Sequence, residues 1–409
     1  MTAASRWEWL DFDEAEVKQV RDFLSQDVDG EGVDALRIGA SVRDLVAEQL
    51  FPGTSTQYKR LRYVILVPAV LRKKGATVSN ITLSQTALNS ALVKANPNET
   101  GIIGRRTPAR DFVHLYWTAI RTWKMLTPLS ADVRDVTVAN GLAAMQSRIT
   151  TDDEGNPLLQ NRVKWHPQAT KLADQFWFDK KGGEWPGIHC SKAEVDFILD
   201  QWLELPDKPA LAVIASLVRR GGTPSKATFP WQIHVDKESG ARTALDRAKT
   251  VSLICWGVQL AYNFALLKEA RKLDADGGDT SWKQKSQDLG VTEEKIDLYF
   301  EQWKEAFEAE KQSLAPWVKP TTWEPLGSEV SRAFLASAAR KLVSGEINLG
   351  SNQWFNLVCD REKVNPAPKL SNRSHLATWS GTPEMARRWD FRWGACVRHL
   401  VRDAENPRG

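Results

Sequence analysis

The sequence predicts a mainly α protein of two helical domains or lobes, joined by an irregular linker, with at most a few short strands. Three observations lead there. Apolar residues recur at helical spacing along most of the 409 residues, and helix start and stop signals bracket those runs. No period of about 20–50 residues repeats, which argues against a solenoid. A chain of this length also exceeds one ordinary core.

Taken in order, Asp13 with Glu16 forms a capping-box pattern that opens a helix to about Leu24. Ser41 with Asp44 opens a second, to about Leu50, which Pro52 and Gly53 end. The stretch "YVILVPAVL" carries Pro68 at its centre, which argues against a central strand. The expectation is a helix over Ser55–Lys74, capped by Thr54 or Ser55 and kinked at Pro68. A polar stretch follows. Beyond it, Phe112, Val113, Tyr116, Ile120 and Trp123 share one face of a helix, with Arg110, His114 and Arg121 opposite.

From Thr150 to Gly187 the turn signals "TDDEGNP", "WHP" and "KKGGEWPG" crowd together. The expected domains are therefore 1–149, carrying a basic block, and 191–409, with 150–190 as linker. Ser191 and Glu194 form another capping box, and Pro209 and Gly221 bracket the next helix. Gly240 to Leu273 is the longest helical pattern. Its centre, "VSLICWGVQLAYNFALL", is apolar nearly all round and should form the buried axis of the C-terminal domain. Further helices are expected over Thr292–Leu314, over Ser328–Leu342 and through "TPEMARRWDFRWGACVRHLV". Short strands fit "FPWQIHVD".

Composition narrows the class. With 42% apolar and 26% charged residues the chain reads as globular. No apolar run reaches the roughly 18 residues needed to span a bilayer, so no membrane association is expected. The N-terminus lacks the basic-then-apolar order of a signal peptide. The four cysteines never form a C-x-x-C pair, which suits reduced thiols in a cytoplasm. The 18 tryptophans read as packing residues, because almost none interleaves with the basic block described next.

Net charge is +4, but it is unevenly distributed. Met1–Glu48 has 5 basic and 12 acidic residues; Gln49–Met125 has 12 basic and 2 acidic. Such a block is the electrostatic footprint of a polyanion partner. The alternative is a solvated face whose charges pair with the acidic N-terminus in the fold. The candidate phosphate-binding residues are Ser55, Thr56, Lys59, Arg60, Arg62, Arg72, Lys73, Lys74, Arg105, Arg106, Arg110 and Arg121. Within them, "PGTST" before "YKRLRY" suggests a helix N-terminus and cations gathered at one phosphate, centred on Ser55, Thr56, Lys59 and Arg62. On that reading these side chains are exposed, and Lys59→Glu with Arg62→Glu spares the fold.

Motifs for chemistry are thin. "DVDGEG" and "DADGGD" imitate calcium loops but carry Ile38 and Lys285 where a bidentate Glu is needed. No phosphate loop of the G-x-x-x-x-G-K-[ST] type and no G-x-S-x-G elbow occurs. The six histidines never fall at ligand spacing. No cofactor is expected. "HVD", His234 to Asp236, could supply a base or a metal ligand.

The segments "W-x-W-L-D-F", "LFPGTSTQYKRLRYVILVP", "GIIGRRTPARDFVHLYW", "VKWHP" and "DFRWGACVRHL" resemble an uncharacterised bacterial family, a domain of unknown function. That family resembles components encoded beside helicases and nuclease-like proteins in anti-phage defence clusters. The resemblance transfers no catalytic residue. It implies a nucleic-acid-associated, non-catalytic subunit of a defence assembly, with DNA a better fit than RNA and a helicase or nuclease among its partners. A divergent metal-dependent nuclease using His234 and Asp236, and a protein–protein scaffold, are the alternatives.

Overall fold

The structure is a computed structural model that describes residues 34–73, 75–105, 111–129, 136–146, 163–176, 187–236, 239–275, 293–383 and 385–408. It is mainly α. The one sheet among the described residues has two antiparallel strands, β1 (Leu126–Pro128) and β2 (Val163–Trp165), with Leu126 opposite Trp165 and Pro128 opposite Val163. "FPWQIHVD" instead holds a short 3₁₀ turn at Pro230–Gln232, because Pro230 opens a turn and donates no ladder bond.

Packing divides the chain elsewhere than at the expected linker. One unit comprises Val42–Ser252 with Asp390–Gly409; the other comprises Met1–Ser41, described from Asp34 on, with Leu253–Trp389. Residues on both sides of 150–190 belong to the first unit, and β2, inside that stretch, pairs with β1.

The first unit is built from α1 (Asp44–Leu50), α2 (Tyr63–Arg72), α3 (Ile81–Ala95), α4 (Phe112–Leu115) and α5 (Trp117–Thr122). It continues through β1, α6 (Val138–Met145), β2, α7 (Pro167–Ala173), α8 (Lys192–Leu203) and α9 (Ala210–Arg219). α2 is its centre, with Tyr63 through Leu71 all buried and Pro68 inside the helix. It starts at Tyr63, not at Ser55; residues 55–62 form turns that feed into it. The expected polar stretch is the fifteen-residue α3. The helix expected around Tyr116 is two short ones, α4 and α5, broken there by a backbone at φ −90°, ψ 4°. Its apolar face is as expected: Phe112, Val113, Tyr116, Ile120 and Trp123 are fully buried. α8 begins at the expected capping box, Ser191 accepting from the Glu194 amide and Glu194 reaching back to the Ser191 amide.

α10 (Gly240–Ala275) begins in this unit and passes into the other at Ser252–Leu253. By length and composition it could cross a bilayer, with mean hydropathy 1.4 over its most apolar window, but 94% of that window is buried. It is the buried axis foreseen, although it belongs to both units.

The second unit adds α11 (Glu293–Glu310), α12 (Glu329–Val343), α13 (Asn352–Glu362) and α14 (Arg373–Ala377). Trp303 on α11 lies over Gly257 of α10 and donates to the Leu253 carbonyl at 3.1 Å. A Cβ at 257 would meet the indole nitrogen at 2.9 Å, so only glycine allows this approach. Glu362, with no exposed surface, accepts from the Tyr262 hydroxyl and from the Lys369 and Leu370 amides. Among the described residues after Thr382 the chain is irregular up to a π-helical turn at Trp393–Val397, which leads into the last helix, α15 (Arg398–Glu405), in the first unit. Asp390 explains part of this, since its carboxylate accepts from the Gly394 amide at 2.7 Å and holds a turn before the helix.

Candidate functional site

The "FPGTST" segment is a structural clamp. Gly53 has φ +77°, a conformation glycine adopts without strain, and a Cβ there would lie 2.7 Å from the Thr122 Cβ. Its amide donates to Glu48, and the Trp123 indole donates to the Pro52 carbonyl at 2.9 Å. Thr54 Oγ1 donates to the Phe51 carbonyl, while Arg392 donates to the Thr54 carbonyl and to Glu48. Ser55 Oγ accepts from the Gln57 amide at 3.4 Å. Since α2 begins only at Tyr63, no helix N-terminus lies at Ser55 or Thr56.

The adjacent cations turn inward. Lys59 Nζ donates to the Ala395 carbonyl at 2.6 Å. Arg60, 9% exposed, donates to Asp403 at 3.1 Å, to the Thr100 carbonyl at 2.8 Å and to Glu99. Asp403 also accepts from the Leu61 amide at 2.9 Å. Arg62, 8% exposed, pairs with the fully buried Glu194 at 3.3 Å, donates to the Gly187 carbonyl and stacks over Phe176. Glu194 in turn accepts from Gln175 and from the Ser191 amide. Glu99 further accepts from His189 at 2.7 Å and lies 3.5 Å from Arg408.

The electrostatics follow from these partners. The His189 hydrogen bond holds the Glu99 carboxyl below its ordinary value, with Arg60 assisting against burial. Burial pushes Asp403 up, although the Leu61 amide and Arg60 favour its charged form. Burial, helped by the charge of Lys59, pulls His399 down. Burial also pushes the Cys396 thiol up to about 12 and the Cys190 thiol well above its usual range, so neither is a reactive thiolate.

The remaining predicted residues are dispersed. Arg72 pairs with Asp174 at 2.6 Å. Arg105 donates to the Asn96 and Pro97 carbonyls, closing the loop after α3. Lys73 is half-buried and Arg121 exposed, both without a carboxylate partner among the described residues. Lys74, Arg106 and Arg110 lie outside the described residues, as do the N-terminal helix and the first calcium-like loop. His234 and Asp236 are exposed, and no group of three metal-ligating side chains occurs among the described residues. Sequence reasoning missed the acids that hold Arg60 and Arg62, because they lie as far as 343 positions away.

Residues 4–133 match the model of a family of unknown function, DUF6361. The match covers α1 to α5 and the whole basic block. It ends before Glu194 and Asp403, which neutralise two of that block's arginines. No curated protein and no solved structure matches the chain. The family description names no activity, so the match identifies an uncharacterised domain and leaves the chemistry to the geometry.

Proposed function

We infer that the chain is a non-catalytic subunit that holds nucleic acid by its phosphates, DNA in preference to RNA, within a bacterial anti-phage defence assembly beside enzymes such as a helicase or nuclease. The observation that supports this is the charge left over once the internal pairs are made. Arg60, Arg62 and Arg72 are neutralised by carboxylates, whereas Lys73, Lys94, Arg105, Arg121 and Lys124 have none among the described residues. Of the block's two acids, Glu99 serves Arg60 and Asp111 serves His114, so neither offsets the surplus. The phosphate contacts therefore shift from the buried "YKRLRY" arginines to these outer cations. The four free cysteines, three buried, suit a reducing cytoplasm. The assembly itself is inferred from the sequence resemblance.

The test is a salt titration of duplex binding by the full chain. About five phosphate contacts give a slope of log affinity against log salt near roughly −4.5. Arg121→Glu with Lys124→Glu should flatten that slope. Absent or salt-insensitive binding sinks the reading, and partners retained from lysate after nuclease treatment favour a scaffold.

A further inference from the structure

The outer face of α3 carries a more specific proposal, which rests on the phosphate-binding reading above and deepens it. No acid occurs between Glu48 and Glu99, and α3, "ITLSQTALNSALVKA", lies wholly inside that interval. Its buried side is Ile81, Ser84, Gln85, Leu88, Asn89 and Leu92. The opposite side presents Thr82, Leu83, Thr86, Ala87, Ser90 and Lys94, which fall within an arc of about 140° at the helical period. Leu83 is 74% exposed and nearby Val78 53%. The face is thus uncharged along its length, with short hydroxyls, one protruding leucine and a cation in its last turn.

Its ends are basic. Lys73 lies in the connection leading to the turn Thr77–Asn80, which reciprocal bonds between Thr77 and Asn80 hold in front of the helix. At the far end stand Lys94 and Arg105, the latter fastened to the carbonyls of Asn96, the C-cap, and of Pro97. A fifteen-residue helix is about 22 Å long, so cations at both ends can reach phosphates on both rims of a groove about 12 Å wide.

We propose that α3 is the helix this protein lays into the major groove of duplex DNA, its hydroxyls and Leu83 facing base edges while Lys73, Lys94 and Arg105 hold the phosphates. Charge complementarity selects the partner, because an acid-free helix between cations meets no repulsion from a polyanion along its length. The face offers no Arg, Asn or Gln for bidentate base contacts, so base discrimination is modest, with Leu83 suited to a thymine methyl. Duplex RNA is excluded as an equal ligand, since its major groove is too deep and narrow for a helix.

The experiment measures affinity of the full chain for a labelled DNA duplex of about two helical turns, roughly twenty base pairs. Thr86→Glu with Ser90→Glu places two carboxylates on the exposed face and should weaken binding at least about tenfold, by introduced like-charge repulsion. The charge-matched control, Gln312→Glu with Ala315→Glu on exposed positions of the other unit, should change it less than about twofold. If the α3 variant loses its helical signal, acetylation of the unmodified chain replaces it. Bound DNA should then protect Lys73 and Lys94 while Lys192, 76% exposed, stays reactive. Wild-type binding that survives the α3 change, unprotected Lys73 and Lys94, or equal affinity for an RNA duplex overturns the groove assignment alone. No binding by the wild-type chain overturns the phosphate-binding reading with it.

Discussion

The guanidinium of Arg60 donates to the carboxylate of Asp403 at 3.1 Å, joining positions 343 apart in a pair that is about nine-tenths buried on both sides. This pair ties the central basic segment to α15. It makes α15 part of the first unit's core rather than an appendage.

Removing one partner should be costly. Asp403→Ala removes one of the two carboxylates on Arg60 and leaves the Leu61 amide unpaired in the interior, and an unsatisfied buried donor costs about 1–3 kcal/mol. Urea unfolding should show that loss in the midpoint with little change in slope. A loss below about 1 kcal/mol would mean that Glu99 alone satisfies Arg60.

Arg62→Glu should unfold the first unit or leave it molten, because it sets a second carboxylate against Glu194, which is fully buried. The expectation from sequence, that Lys59→Glu with Arg62→Glu leaves the fold intact, is reversed by this geometry. Arg121→Glu, on an exposed side chain, should keep the wild-type melting temperature within the small range of surface changes. Circular dichroism melts of the two variants separate these roles.

Acid lability should follow Glu99. His189 and Arg60 hold its folded value below the ordinary 4.5 against burial, so the charged form is favoured in the fold. The stability it contributes is full above about pH 4.5 and is lost as pH falls through the lowered folded value. Between pH 7 and pH 3, roughly the range in which carboxylates titrate, Glu99→Gln should melt with a flatter acid limb than wild type. An unchanged limb would assign the loss to Asp111, whose value His114 also lowers against burial.

Gly53→Ala tests the clamp. A side chain at φ +77° is strained by roughly 1–2 kcal/mol, and contact at 2.7 Å with Thr122 adds an overpacking cost. A total above about 2 kcal/mol is expected from these two effects, with Trp123 fluorescence reporting the disturbed Pro52 contact. A neutral substitution would show that the segment relaxes.

Residues 4–133 expressed alone should fail to unfold cooperatively. That fragment carries Arg60 and Arg62 but lacks Asp403, Glu194 and Gly187, their partners. A sharp thermal transition from it would instead make the matched family region an independent domain.

Local signals in the sequence were legible where one residue decides the outcome. Ser191 with Glu194 starts α8, and Ser328 caps α12 by accepting from the Ser331 amide. Gly221 and Gly345 follow α9 and α12 at positive φ, as helix-ending glycines do. The all-round apolar pattern of α10 foretold its burial. α3 escaped because Ser84, Gln85 and Asn89 fill its buried side, so its apolar period is diluted to Ile81, Leu88 and Leu92. The start of α2 was misjudged because Thr54 and Ser55 look like caps but serve the Gly53 clamp. The inward turn of Arg60 and Arg62 depends on acids distant in sequence, which no local pattern reveals.

Because Asp390–Gly409 completes the unit begun by Val42–Ser252, the order of synthesis does not match the order of closure. At about 5–20 residues per second, the ribosome spends on the order of 10 s between releasing the first of these segments and supplying the last. Throughout that interval Arg60 lacks Asp403, one of its two carboxylates, and the buried Leu400 and Val401 are missing from the unit's core. The nascent chain therefore carries an unfinished basic, apolar surface until Asp390–Gly409 emerges, and its yield in a cell should depend on chaperones that shield that surface.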